Sequence, residues 1–524
     1  MHLRRLLLCL LILVIPAVSC RDDQIDINDE TLLKSVSVEE AEVVLAPGGK
    51  AEFHFRIKDP LFHFSGLNDL VLSPVTTSNL FRLVNVRQDE VVGRYVADVQ
   101  DIGLMKYSVI VRLGVRQSPG SEALVMSSEF IISRRDPSEP PTPAETGTGL
   151  PTVRINTAGG AAITSKTVWT DATMLIDGVE YKCSVRGRGN STWSWPKKPY
   201  AIKLEKRASV LGMPEQKRWV LLANFLDRTL MRNIVAMKVA SLTSLAWTPS
   251  CKSVDLVLNG RNLGNYLLIE QVRVDENRVN IDEKEGFMLE LDFHNDNDNQ
   301  WVDYHGNCWQ RSDGIPFAIK YPEADDIAPI RVQLIKNYVS EVAATIYGPD
   351  YADPVKGYAK YLDVLSFIDY WIVFEVMGNH ELNNPGSVFM HKDKAGKLTA
   401  GPCWDFGWGV LSYKTSPGAR TGLVNRYAIW YSRLMSDPSF RSAVKVRFMQ
   451  LLPELEKIPD FMEETEKMLE LSAEQNFKLW NPAQDASLNG GEIINGDENL
   501  SFHEACVRLR EIYREHLEVI QKCL

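Results

Sequence analysis

Arg186 and Arg188 alternate with Gly187 and Gly189 in the most unusual run of the chain, RGRGNSTW over 186–193. Guanidinium groups clamp phosphate or carboxylate, and glycines let backbone N–H groups approach an anion. A basic turn, Pro196-Lys197-Lys198-Pro199, then feeds a strand-like run that carries Lys203. Glu270 closes a second strand-like run, Tyr266-Leu267-Leu268-Ile269-Glu270. Phosphoryl-transfer sites orient a strand lysine with an acid, so Lys203 and Glu270 form a candidate pair. Two acidic segments follow: Gly378-Asn379-His380-Glu381-Leu382-Asn383-Asn384 and Pro402-Cys403-Trp404-Asp405-Phe406-Gly407-Trp408. A carboxylate in the first can accept a hydroxyl proton, and one in the second can hold Mg²⁺ through oxygen. The plainer readings are a glycine-rich hairpin with solvated arginines and two polar loops that share no ligand.

Other polar clusters read as structure. Asp227 or Thr229 caps a helix over 229–241, with Arg232 and Asn233 in its first turns. The run Asp296-Asn297-Asp298-Asn299 starts like a calcium loop but lacks the glycine and glutamate such a loop needs, so it is a solvated turn. Cys183, Cys251, Cys308, Cys403, Cys506 and Cys523 show no CxxC spacing, which argues against zinc. Cys506 and Cys523 share one helix about 25 Å apart, beyond the disulfide reach of about 7 Å. Most of these cysteines are therefore free buried thiols.

Several kinds of element must position these residues. Phe53, Phe55 and Ile57 alternate with His54, Arg56 and Lys58, and Tyr107, Val109, Val111, Leu113 and Val115 repeat the pattern. Residues 24–133 therefore form an immunoglobulin-like β-sandwich. Residues 134–150 are a Pro-rich linker, and a second domain occupies 151–524. Its first part carries short strands at 153–155, 200–204, 254–258 and 266–269, with Asn259-Gly260 as a hairpin turn. After 330 the pattern is mostly helical. The apolar run 362–376 is a buried helix. The last helix opens with the capping box Ser501 and Glu504 and lines Phe502, Cys506, Leu509, Tyr513, Leu517 and Ile520 on one face.

The first twenty residues are a leader. Arg4 and Arg5 precede the apolar run 6–15, which is too short to span a bilayer, and Ala17-Val18-Ser19-Cys20 resembles a bacterial lipobox. Cys20 is the expected lipidation site, which would anchor the protein in the cell envelope, in the outer membrane of a bacterium. The net charge of -10 argues against a nucleic-acid partner. With 45% hydrophobic residues, the chain has ample material for a large core.

Several segments together resemble the CotH kinase family, named for a spore-coat protein H with an atypical protein-kinase fold. They are RGRGNSTW, KKPYAIKL, LLANFLDRTLMRN, LNGRNLGNYLLIEQVRVDENRVNI, EGFMLELD and GPCWDFGWG, in that order. The resemblance implies an α+β kinase-like domain with a helical C-terminal lobe, binding Mg²⁺ and ATP and transferring phosphate to a protein serine. By that analogy Arg186, Arg188, Lys198, Lys203 and Glu270 serve the nucleotide, Glu381 is the catalytic base and Asp405 holds the metal. Active relatives usually carry aspartate where Glu381 stands and a second acid where Gly407 stands, and Ser387 takes the place of an expected asparagine. The alternative is a surface protein that keeps the fold without the chemistry and binds a glycan or a protein, with Trp193 and Trp195 as stacking surfaces.

Overall fold

A computed structural model describes residues 36–40, 42–57, 64–73, 80–91, 93–103, 107–116, 124–127, 130–134, 146–293, 299–306, 314–480, 495–497 and 499–524. The leader with Cys20, most of the linker, Cys308 and residues 296–298 of the acidic turn lie outside the described residues. No helix among the described residues is long and apolar enough to cross a membrane.

The N-terminal part is built from β1 (Val36–Val38), β2 (Glu42–Leu45), β3 (Lys50–Ile57), β4 (Leu70–Ser73), β5 (Phe81–Gln88), β6 (Arg94–Asp101), β7 (Tyr107–Arg116), β8 (Leu124–Met126) and β9 (Phe130–Arg134). One sheet runs β1-β3-β6-β5 and the other β2-β9-β7-β4, with β8 on β7. The alternation read in the sequence sorts the side chains. Phe53, Phe55, Val109, Val111, Leu113 and Val115 are buried in one core shared by both sheets.

The next seven strands close into a barrel: β10 (Thr152–Thr157), β11 (Thr170–Ile176), β12 (Val179–Gly187), β13 (Tyr200–Val210), β14 (Met213–Leu222), β15 (Cys251–Leu258) and β16 (Arg261–Glu270). Closure comes from the parallel pairing of β10 with β15. The sequence pattern shows only four of these seven strands: β11 and β12 alternate with polar residues on their exposed face and carry little hydrophobic signal, and β14 opens on the polar run Pro214-Glu215-Gln216-Lys217-Arg218. Asn259 (φ 49°) and Gly260 (φ 78°) make the tight turn between β15 and β16 that their dipeptide requires.

The C-terminal part combines helices with a further sheet. The helices are α1 (Arg232–Ala240), α2 (Pro329–Tyr347), α3 (Val364–Val376), α4 (Pro438–Leu455), α5 (Ile458–Leu479) and α6 (Phe502–Cys523). The strands β17 (Phe287–Leu291), β18 (Gln300–Asp303), β19 (Ile315–Tyr321), β20 (Val388–Lys392) and β21 (Leu398–Ala400) form a sheet in the order β18-β19-β17-β20-β21, the last two within the stretch after 330 that the sequence reads as mostly helical. The central helix α3 is buried from Ser366 to Val376, including Trp371 and Phe374, and Asp363 caps its start. Helix α6 has the Ser501–Glu504 capping box and buries Cys506, Leu509, Tyr513, Leu517 and Ile520. Cys183, Cys403 and Cys506 are buried free thiols, while Cys523 is exposed.

Barrel and helices are tied by a buried polar cluster. Lys197, fully buried, donates to the Asn265 carbonyl and to Asn476 Oδ1 on α5, and lies over the Tyr266 ring at 4.5 Å. Asn265 donates in turn to Ser472 Oγ of α5 at 3.0 Å. Removing any partner would leave buried polar groups unsatisfied, so this cluster fixes how α5 seats on β16.

Candidate functional site

A cleft of about 1210 Å³ separates the outer face of the barrel from the C-terminal part. Its walls come from several distant stretches of chain. The barrel supplies Arg188 and the loop to Trp195, together with Leu222–Asp227. Strands β17 and β19 supply Glu290, Asp292 and Lys320. The loop after α3 supplies His380, Glu381 and Asn384, and the loop after β21 supplies Trp404, Asp405, Gly407 and Trp408.

Glu381 owes its position to a chain of hydrogen bonds at the end of α3. Buried Glu375 accepts from the backbone N–H groups of Val424 and Asn425 at 2.6 and 2.8 Å. The Asn425 amide then donates to the Asn379 carbonyl at 2.9 Å and accepts from Asn383 at 3.0 Å. Asn379 Oδ1 receives the Glu381 N–H at 2.9 Å. Burial pushes the Glu381 carboxyl well above the usual range, and the charges of Asp405 and Asp292 push it further. Its Oε2 atom is buried without a hydrogen-bond partner, as is Asn384 Oδ1.

Asp405 sits in left-handed backbone (φ 59°), as do Asn224 (47°) and Ser387 (56°) on the same walls. Non-glycine residues adopt this region at a cost, and such strain concentrates where side chains must be aimed. The loop is anchored from below. Phe406 packs on Phe374 with ring centroids 4.8 Å apart, and its N–H donates to Asn233 Oδ1 at 2.9 Å. Asp405 is open to the water of the cleft, yet the protein crowding it raises its pKa, and the charge of Arg188 pulls it back. Arg188 lies over the Trp404 ring at 5.4 Å, so the guanidinium is held beside the carboxylate.

Of the candidate residues, the structure brings Arg188, Glu381 and Asp405 into this cleft and leaves the other four outside its lining. The proposed Lys203–Glu270 pair does not form. Ile202 and Leu204 point into the barrel core, so Lys203 faces outward and is exposed. Trp219 pairs with both Ile202 and Glu270, which places Glu270 on the inward face. There Glu270 is 0% exposed, accepts the Ser250 N–H at 2.8 Å and faces Arg278 at 3.6 Å. Lys198 is buried and pins its own turn, donating to the Trp193 carbonyl at 2.9 Å. Arg186 lies against Trp169 at 4.6 Å.

Trp193 covers Gly187 so closely that a Cβ there would sit 2.1 Å from its ring. Trp195 faces the cleft beside Phe225, at 6.2 Å. The helix begins at Arg232, later than expected, with Met231 rather than Asp227 or Thr229 at its N-cap; Asp227 instead ties the preceding turn, accepting the N–H groups of Thr229 and Arg232 at 3.0 and 2.9 Å.

Sequence reasoning missed Asp292, Lys320, Asn233 and Asn384. Asp292 ends the run EGFMLELD, and a polar residue just past an apolar strand was the available signal. Lys320 pairs with Glu290 at 2.8 Å across neighbouring strands, which only the register reveals. Asn384 puts an amide oxygen into the cleft three residues after Glu381, where the sequence reading looked to Ser387. A Cβ on Gly407 would meet Asn233 Nδ2 at 3.1 Å, so glycine leaves the room that this amide takes.

Among the described residues, no group of three or more His, Cys, Asp or Glu side chains is placed to hold a metal ion by itself. The cleft instead offers Asp405, the unpartnered oxygens of Glu381 and Asn384, and Arg188. That set suits a Mg²⁺ ion whose remaining ligands are phosphate oxygens and water, the usual arrangement for this ion. A search of curated proteins finds no match for the chain. The family model described as CotH kinase protein matches residues 185–517, more than half of the 524 residues and every segment lining the cleft. The chain belongs to the CotH kinase family.

Proposed function

We propose that this protein binds a magnesium nucleotide, ATP by family analogy, in the cleft and transfers its terminal phosphate to a protein hydroxyl. The observation that carries the reading is the convergence of Arg188, Glu381 and Asp405, from three distant segments, on one cleft. When bound, such a ligand supplies the transferable phosphate and the cation that neutralises it. Arg188 would bind phosphate oxygens, and Asp405, aided by the Asn384 amide oxygen, would hold the metal. Glu381 would take the proton of the acceptor hydroxyl, its raised pKa making it a stronger base than an ordinary carboxylate. Lys203 and Glu270 have no part in this assignment.

Export by the leader and lipid attachment at Cys20 would place the domain at the envelope surface, with the β-sandwich and linker as spacer. The second reading, a binding protein for a glycan or protein partner, draws on Trp195 in the cleft wall and on Trp408, 42% exposed beside His380. The deciding experiment incubates the full-length chain with labelled Mg-ATP and envelope protein. Transfer by the wild type and none by Glu381→Gln is expected. Absence of transfer with intact ligand binding in the cleft would favour the second reading.

A further inference from the structure

The outer face of the barrel carries a cationic cluster that the cleft does not use. Cross-strand register sets Ser184 of β12, Lys203 of β13 and Arg218 of β14 in one row, with Arg186 in the adjacent row opposite Ala201. All of these face outward, because their neighbours Val185, Ile202, Leu204 and Trp219 fill the barrel core. The Arg186 and Arg218 guanidiniums both lie against the indole of Trp169, at 4.6 and 4.9 Å. Arg273 joins them from the cleft side.

Like charges gathered this way repel unless an anion compensates them, and the nearby acids are already engaged. Glu323 pairs with Arg273, and Asp171 accepts from Ser184 Oγ at 3.1 Å. Among the described residues, no carboxylate lies within ion-pair distance of Arg186 or Arg218. Arg186 Nε is buried with no acceptor at all. Partial burial and mutual repulsion both work against the charge on Arg218. Stacking on an indole returns about 0.5–2 kcal/mol per cation, but it gives the guanidinium N–H groups no acceptor. A donor without a partner, in a cluster of unpaired cations braced on one aromatic ring, is an incomplete anion site.

We propose that Arg186, Arg218 and Lys203 form a phosphate-binding site around Trp169, on the outer barrel face beside the cleft and separate from Arg188. Two forked guanidiniums and a lysine ammonium match the geometry and charge of a phosphate dianion. The phosphate could be carried by a phosphorylated protein residue or by a nucleotide. The site needs neither a metal nor turnover, so it stands or falls independently of phosphoryl transfer in the cleft.

The test is calorimetric titration of the full-length chain with inorganic phosphate, without magnesium. The wild type should bind, and Arg186→Gln with Arg218→Gln should weaken binding about tenfold or more, since each removes a charge-assisted contact. Lys203→Gln, an exposed change that leaves the barrel core untouched, should weaken it about threefold. Competition by a phosphoserine peptide would identify a phosphorylated protein as the source, and competition by magnesium-free ATP a nucleotide; either supports the site. Absence of phosphate binding by the wild type, or equal affinity in the folded double variant, would overturn it.

Discussion

Arg232 is 1% exposed and holds together the strut beneath the cleft, so its removal gives a sharp test of the packing argument. Its Nη1 donates to Asp227 at 2.5 Å, its Nη2 to Asp497 at 2.7 Å and its Nε to the Val410 carbonyl at 2.9 Å. Burial works against the charge, but Asp497 and Asp227 outweigh it and hold the guanidinium pKa above its ordinary value. Replacing Arg232 with methionine keeps the volume and strands two buried carboxylates. Asp227 retains the Thr229 N–H and hydroxyl and the backbone N–H at position 232, so most of its needs stay met. Asp497 keeps only the more distant Arg508, at 3.7 Å, among the described cations. Breaking a buried pair costs about 3–5 kcal/mol, and the surviving partners of Asp227 put the expected loss near 3 kcal/mol. Adding Asp497→Asn should restore about 1–2 kcal/mol by removing the stranded charge. Urea unfolding followed by tryptophan fluorescence would measure both. A loss below about 1 kcal/mol, or a double variant no more stable than the single, would refute the reasoning.

Three further outcomes follow from the same structure. Burial, with the charges of Asp405 and Asp292, raises the Glu381 pKa, so its contribution to stability is present at low pH and lost as pH rises from the ordinary carboxylate range through that raised pKa. Glu381→Gln should therefore match the wild type near about pH 4 and exceed it near about pH 8; a uniform loss across that range would contradict this. Gly187→Ala would drive a methyl group into the Trp193 ring and displace the turn that Lys198 pins, costing about 1–3 kcal/mol in a thermal melt. Cys20→Ala should release the protein from membranes, because acyl chains contribute about 0.8 kcal/mol per buried CH₂; a variant still sedimenting with membranes after a high-salt wash would count against lipidation.

Local signals carried much of the fold. The Asn259-Gly260 turn, the Ser501–Glu504 box and the apolar run through Trp371 each have one structural solution, and the chain adopts it. Long-range pairing was not legible. Barrel closure joins β10 to β15 across about a hundred residues, and β20 finds β17 only after the helices α2 and α3 have intervened. The site divides the same way. Glu381 and Asp405 stood out as polar residues after buried elements, and they converge. Lys203 and Glu270 have the right residue types, but period two sends them to opposite faces, and that follows from register rather than from composition. Arg186 and Arg188, two residues apart on one face, part company because the strand ends between them and Trp404 captures only the second.

The central claim is that Arg188 and Asp405 together receive a magnesium nucleotide. Calorimetric titration of Mg-ATP into the full-length protein tests it most directly. The account predicts saturable binding, weakened about tenfold or more by Arg188→Gln and by Asp405→Asn, and kept within a few-fold by Glu381→Gln because that residue acts on the acceptor. No binding by the wild type, or binding indifferent to Arg188 and Asp405, would contradict it.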